Sequence, residues 1–600
     1  MRHSFQLARR RYLFLLLVVA VDASVFASSA PPAKKKTEGI IAFVDVNLIP
    51  MDREAVVRNQ TVIVRGGKIA EIGPASAVAV PTDARVIEGT GRYLMPGLAD
   101  MHVHLNAFVQ ARPNFGDAPL FLAYGITTVL NLSGDPELLA CRQRIRNGEL
   151  PAPNLYTSGE FINEPRQRTP DEVEREVVRQ FHEGYDVIKY HQIVDADGRY
   201  ITTSGLVRPA YLRMNDVARR MGMPLLGHAP INLGLDALLE AHQSLAHMGE
   251  FIPLYFLPPD PRYMTGIKLV STASLLVLVF SCLCWIMMDV LRRVRKAGSA
   301  VRSMFVTRFR RMTFAITSVG LSSMVLSLAL ILSGNGPLLM LATVLFLVMV
   351  ALTIRMFILA ARGWRLSPPR FKFHSALLIL AAVAFVSSTA YWVPILWRSS
   401  NAEVADVAAS ARSAGIWVET TLNLYDTACL SRQQRAEMLQ EPAFKALSPE
   451  IRDDWTAVAA QGLLPQWQRI VFRNYPQFTR GLTAALNKAG VPLLLGTDSL
   501  GYPLAIPGFS AHQELQLLIE SGLTPYDALR TATVNPAKFL RKEDEFGTIA
   551  VGKRADLLLV SADPLVDIHT LKSPIGVMVR GKWLPAEELQ SMLHSLAQQN

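Results

Sequence analysis

Apolar positions along this chain fall into three patterns, and each predicts a different kind of element. Short β-branched or leucine-rich runs recur at 98–105, 126–132, 155–162, 186–191, 223–228, 244–248, 415–422 and 491–498. Segments with helical spacing separate them. Asp171 to Phe181, for example, alternates charge and apolar residues at helical period behind the start signal Thr169-Pro170. Strands alternating with helices predict parallel strands joined by helical crossovers, an α/β fold. A second pattern, short β-rich runs, occupies 40–92 and 546–585 and brackets the first.

The third pattern is four long apolar runs between strands six and seven, at 269–288, 313–332, 338–358 and 376–397. Each is near the ~20 residues a helix needs to cross a bilayer, and four in succession predict a transmembrane insertion over 265–398. The loop after the first run carries Arg292, Arg293, Arg295, Lys296, Arg302, Arg308, Arg310 and Arg311. The loop after the third carries Arg362, Arg365, Arg370 and Lys372. The positive-inside rule makes both loops cytoplasmic, and Tyr391, Trp392 and Trp397 close the last run as interfacial aromatics do. At the N-terminus, Arg2 and Arg9 to Arg11 precede an apolar run from Tyr12 to Val21 and small residues through Ala30, the pattern of a signal peptide or N-terminal anchor over 1–30. Both signals predict a multi-pass inner-membrane protein with its α/β domain on the extracytoplasmic, periplasmic side.

The net charge of +11 changes little once its location is considered. Sixteen basic residues lie at the N-terminus and in the two loops, so the remainder is mildly acidic. The charge reports predicted topology, and no nucleic-acid partner is expected. Four cysteines fit no metal or disulfide framework.

Chemistry concentrates at the ends of the predicted strands. In Met101-His-Val-His-Leu105, His102 and His104 project from one side of an alternating strand, a geometry that suits a metal. Lys189, His228, His247 and Asp498 each close a further apolar run. The C-terminal ends of parallel strands are where α/β barrels build their sites.

Taken in order, these residues resemble the amidohydrolase superfamily, in its imidazolonepropionase-like and prolidase-like branch. His102 and His104 match the His-x-His of strand one, and Lys189 the strand-four lysine that is carboxylated in binuclear members. His228 and His247 match the strand-five and strand-six histidines, and Asp498 the strand-eight aspartate. Gly522–Ala537 and Gly547–Val560 are similar to the tail of that branch. The resemblance covers 40 to about 255 and about 400 to 585.

It implies a (β/α)8 TIM barrel over 93–255 and 400–545 and a small β-sandwich from 40–92 and 546–585, the membrane insertion being a departure from the family. It implies two divalent ions, zinc first and manganese, iron or cobalt as alternatives. One would be held by His102, His104 and Asp498, and the second by His228 and His247, with a CO2-derived carbamate on Lys189 as the bridge. An uncarboxylated Lys189 leaves the alternative of a single ion on His102, His104, His228 and Asp498. Asp498 is the expected catalytic proton carrier, and Tyr190, His191 and Tyr502 are expected substrate contacts. The expected function is a membrane-bound amidohydrolase in which metal-activated water cleaves an amide, cyclic amide or dipeptide C–N bond. Its partners would be the membrane and small amide or peptide substrates, lipophilic ones included. The open alternative is a ligand-binding membrane sensor or transporter-like protein whose barrel is not catalytic.

Overall fold

A computed structural model describes residues 39–105, 115–191, 193–196, 199–202, 205–256, 401–463 and 475–599. Two β systems organise them. The first is an eight-stranded sheet in the order Lys582–Pro585, Gly576–Val579, Leu557–Val560, Tyr93–Pro96, Ile41–Leu48, Val57–Arg65 and Lys68–Pro74, with Arg85–Glu88 pairing parallel to Ile41–Leu48. Its seam joins early and late sequence, because Tyr93–Pro96 runs antiparallel to Leu557–Val560. One face is apolar: Phe43, Val62, Val64, Leu557, Leu559 and Met578 form a buried cluster. Trp583 meets Phe43 edge-on at 5.2 Å within it.

The second system is parallel. Leu98–Val103, Ile126–Asn131 and Asn154–Thr157 form a three-stranded sheet, and Leu226–Gly227, Ser244–Leu245, Val418–Glu419 and Leu493–Leu494 a four-stranded one. Single parallel bridges link them: Ser158 to Val187, Ile162 to Tyr190, Ile188 to Leu225, and Val103 to Ser499. The expected barrel is thus seen as two sheets joined by isolated bridges, not as one continuous eight-stranded ladder. Met101, Leu130, Tyr156, Val187, Leu226, Ala246 and Leu494, contributed by successive strands, nevertheless bury one common apolar layer. Alternate residues, among them Val129, Leu155, Leu245, Val418 and Leu493, pack outward in a cluster shared with the helices.

Several strands are shorter than their apolar runs. Val418–Glu419 and Leu493–Leu494 pair over two residues each, although the runs span 415–422 and 491–498. Just past the paired residues the backbone turns left-handed, with φ 43° at Thr421, 57° at Asp498 and 61° at His247. Residues with side chains seldom adopt this conformation, and it removes them from the ladder.

The helix Pro170–Glu183 starts at a reciprocal cap between Thr169 and Glu172 and ends at left-handed Gly184. It buries Val173, Val177 and Gln180 and keeps its charges outward. Among the described residues no helix is long and apolar enough to cross a membrane. The four expected spans and the expected signal or anchor lie outside the described residues. The localisation built on them, a multi-pass inner-membrane protein with an extracytoplasmic catalytic domain, is withdrawn. An apolar run shows that a segment favours leaving water, and the interior of a protein accepts such segments as readily as lipid does.

Candidate metal centre

Strands one and eight meet where the candidate ligands lie. The Asp498 amide donates to the His102 carbonyl at 2.8 Å, and the His104 amide to the Ser499 carbonyl at 2.9 Å. These bonds place Asp498 Oδ1 2.7 Å from His104 Nε2 and 3.6 Å from His102 Nε2. One ligand atom from each of His102, His104 and Asp498 falls within 4.8 Å of the other two. His102 is 1% and His104 6% exposed. Gly501 permits the approach, since a Cβ there would stand 2.2 Å from His104 Cδ2 and 2.6 Å from Asp498 Oδ1.

Below the ligands, Asp100 staples the two strands. Its carboxylate accepts from the His102 amide at 3.2 Å, the Thr497 amide at 3.1 Å and the Thr497 hydroxyl at 2.5 Å. Burial nonetheless pushes its pKa up to about 7.

Glu419 is the residue that sequence reasoning missed. It ends strand seven fully buried, and its Oε2 lies 2.8 Å from His102 Nδ1. Gly496 on strand eight makes room for it, because a Cβ there would lie 1.9 Å from Glu419 Oε1. The signal was available: Glu419 closes an apolar run as the other candidates do. Beyond it, Glu514 holds the following turn by accepting from the Leu422 amide at 2.9 Å and the Asn423 amide at 2.7 Å.

A second group of side chains adjoins the first. The ring of His247 lies 4.5 Å from that of His102 and 4.8 Å from that of His228. His247 Nδ1 contacts the Thr421 hydroxyl at 3.1 Å, and His228 Nδ1 contacts Glu250 Oε1 at 3.2 Å. Lys189 is fully buried, and among the described residues its Nζ has no hydrogen-bond partner. Burial brings its pKa down to about 8 against the pull of the Glu419, Asp498 and Glu250 carboxylates.

The expected substrate contacts separate. His191 stacks between Phe161 and His228, with ring centroids 5.0 and 3.8 Å away. Tyr502 follows the turn at Asp498, its amide donating to the Asp498 carbonyl at 3.1 Å. Tyr190 instead turns into a separate core cluster and packs edge-on to Tyr211 at 5.4 Å. Alternation along the 187–190 segment explains the difference, because the residue after Lys189 must face the other way.

The donors suit a divalent cation. Burial, reinforced by neighbouring positive charge, drives the pKa values of His102, His228 and His247 well below the ordinary imidazole range, so all three are neutral at pH 7. Burial raises Asp498 too, but His104, His247 and Lys189 outweigh it and hold the carboxyl below its usual value. Burial pushes Glu250 up to about 7 and Glu419 well above the carboxylate range. With Nδ1 engaged by Glu419, His102 Nε2 has no hydrogen-bond partner. That buried lone pair faces Asp498, where a cation would be held.

Residues 401–584 match the amidohydrolase family. A 5-methylthioadenosine/S-adenosylhomocysteine deaminase of Teredinibacter turnerae is 28% identical over 121 residues, 18% of this chain and 27% of that protein. The chain thus spans about a quarter of the length of that curated relative. Among solved structures, a bottromycin amidohydrolase superposes with TM-score 0.56 at 18% identity, covering 93% of this chain and 90% of the other. A Xaa-Pro dipeptidase superposes with TM-score 0.51 at 15% identity, covering 91% and 100%. At these identities the structural likeness is one of fold.

Proposed function

We propose that this chain, which has the amidohydrolase-type α/β fold and matches that family over 401–584, is a metal-dependent hydrolase that cleaves a carbon–nitrogen bond. The observation that carries the reading is the convergence of His102, His104 and Asp498 in one buried centre. In this reading His102, His104 and Asp498 hold one divalent ion, zinc being favoured by imidazole and carboxylate donors. His228 and His247 would hold a second, and Lys189, carboxylated by CO2, would supply an anionic oxygen ligand beside them. The fit of Lys189 rests on its complete burial with no hydrogen-bond partner at Nζ among the described residues. Bound metal would supply Lewis acidity, polarising the electrophilic carbon and lowering the pKa of water to about 7.

The protein's own groups do the remainder. Asp498 is ionised at neutral pH, so Oδ1 accepts the proton released by the attacking water and returns it to the leaving nitrogen. Glu419 fixes the ring of His102 by accepting from Nδ1–H, which leaves Nε2 as a donor toward the ion. Thr421 does the same for His247 through its hydroxyl, and Glu250 for His228. His191 and Tyr502 border the centre and would contact substrate. The relatives named above, a deaminase, an amidohydrolase and a dipeptidase, share C–N cleavage, and small amides or dipeptides are the substrate class to screen.

The deciding experiment is elemental analysis of the full chain with bicarbonate present, beside Lys189→Ala and Asp498→Asn variants. Two equivalents of metal falling to one or fewer in Lys189→Ala support the two-ion centre. Asp498→Asn should abolish hydrolysis of a panel of amides. A wild-type chain that retains no metal after reconstitution overturns the reading.

A further inference from the structure

At the opposite ends of the same strands lies a cavity of about 450 Å³ that the chemistry above does not use. Leu225, Ser244 and Trp417 line it at the N-terminal ends of strands five, six and seven. The candidate metal centre sits beyond the C-terminal ends. From Trp417 to Thr421 is four residues, roughly 13 Å of extended chain, so the two sites are separate.

The lining has an unusual charge. Arg219, Lys538 and Arg541 contribute three cations, and among the described residues no carboxylate lines the cavity. Arg219 reaches Asp216 only at 3.9 Å, and among the described residues Lys538 and Arg541 form no ion pair. They arrive from distant sequence. Arg219 lies at the end of the helix Arg208–Arg220, and the other two lie in and just past the helix Val534–Phe539. Arg541 occupies the left-handed region at φ 57°. A fold has no structural need to gather cations without counter-charges, and their mutual repulsion is relieved by an anion. Behind the rim the surface is apolar: Met223 and Phe539 are buried, and Trp417 meets Phe539 edge-on at 5.7 Å. The volume exceeds that of a bare inorganic ion and falls within the ~300–1,000 Å³ of small-molecule sites.

We propose that this cavity binds a small organic phosphate ester, its dianionic head held by Lys538, Arg541 and Arg219 and its flat apolar body lying on Trp417, Met223 and Phe539. The proposal is independent of the hydrolase reading.

Calorimetric titration of the full chain with 1-naphthyl phosphate, with and without a metal chelator, tests it. The expected result is saturable one-to-one binding that the chelator leaves unchanged and that 1-naphthol lacks. Lys538→Ala/Arg541→Ala should weaken it at least about 10-fold, while Lys538→Arg/Arg541→Lys retains it. Both pairs are exposed, so unchanged thermal unfolding is expected and checks that the fold is intact. No saturable binding overturns the proposal, as does an affinity that the alanine pair leaves intact or that disappears with the chelator.

Discussion

Replacing Glu419 with glutamine probes how the protein tunes its candidate metal centre. Oε2 stands 2.8 Å from His102 Nδ1 in a setting without water access. Glutamine keeps the volume and one acceptor but removes the charge, so His102 stays oriented while its Nε2 becomes a poorer donor. Losing the carboxylate behind a ligating histidine costs about 10–100-fold in metal affinity, which is about 1.4–2.7 kcal/mol. Alanine goes further. It leaves Nδ1–H buried without an acceptor, a penalty of about 1–3 kcal/mol that adds to the loss of charge. Zinc affinity should therefore fall in the order wild type, Glu419→Gln, Glu419→Ala, measured by competition with a chromophoric chelator and accompanied by thermal unfolding of each variant. A glutamine variant that binds zinc as tightly as wild type, while His102→Ala does not, refutes the role of Glu419. Unimpaired binding by His102→Ala would refute the centre itself.

Two further outcomes follow from packing and protonation. Gly496→Ala drives a methyl to 1.9 Å from Glu419 Oε1, so it should cost about 1–3 kcal/mol of stability and weaken zinc binding; Gly481→Ala, with open space around its Cβ on the helix Tyr475–Lys488, should stabilise by about 0.4–1 kcal/mol. Denaturant titrations of both variants measure the contrast. His512 donates from Nε2 to the Tyr124 carbonyl at 2.8 Å, and burial brings its pKa down from 6.5 to about 4. Because the unfolded chain binds this proton more tightly, stability is fully present above pH 6.5 and is lost as pH falls toward 4, by up to about 3 kcal/mol. His512→Gln should flatten unfolding free energy across that window, and an unchanged slope would show that other groups carry it.

The positions of His102, His104, Lys189, His228, His247 and Asp498 were legible because each ends an apolar run, and run ends survive errors in strand length. The lengths themselves were not legible. The predicted strands run to 422 and 498, but the left-handed backbone at Thr421 and Asp498 takes the chain out of the ladder. Glu419 escaped notice because it lies inside the predicted run 415–422 and was counted as part of the strand. Its partner His102 is more than three hundred positions away, and only folding brings them together. Tyr190 was placed among the substrate contacts because it follows a strand end, whereas alternation after Lys189 sends its ring into the core beside Tyr211. The four apolar runs carried a strong periodicity-free signal, yet hydropathy records a preference against water and says nothing of what replaces it.

The pairing of Tyr93–Pro96 with Leu557–Val560 has a consequence for synthesis. A ribosome adding roughly 5–20 residues per second needs about 20 to 90 seconds between those strands. Throughout that interval Ile41–Leu48, Val57–Arg65 and Lys68–Pro74 can pair with one another, but Tyr93–Pro96 waits with one edge unmet. A nascent chain in that state offers a template to any other extended segment, including the same segment of a neighbouring chain on the same message.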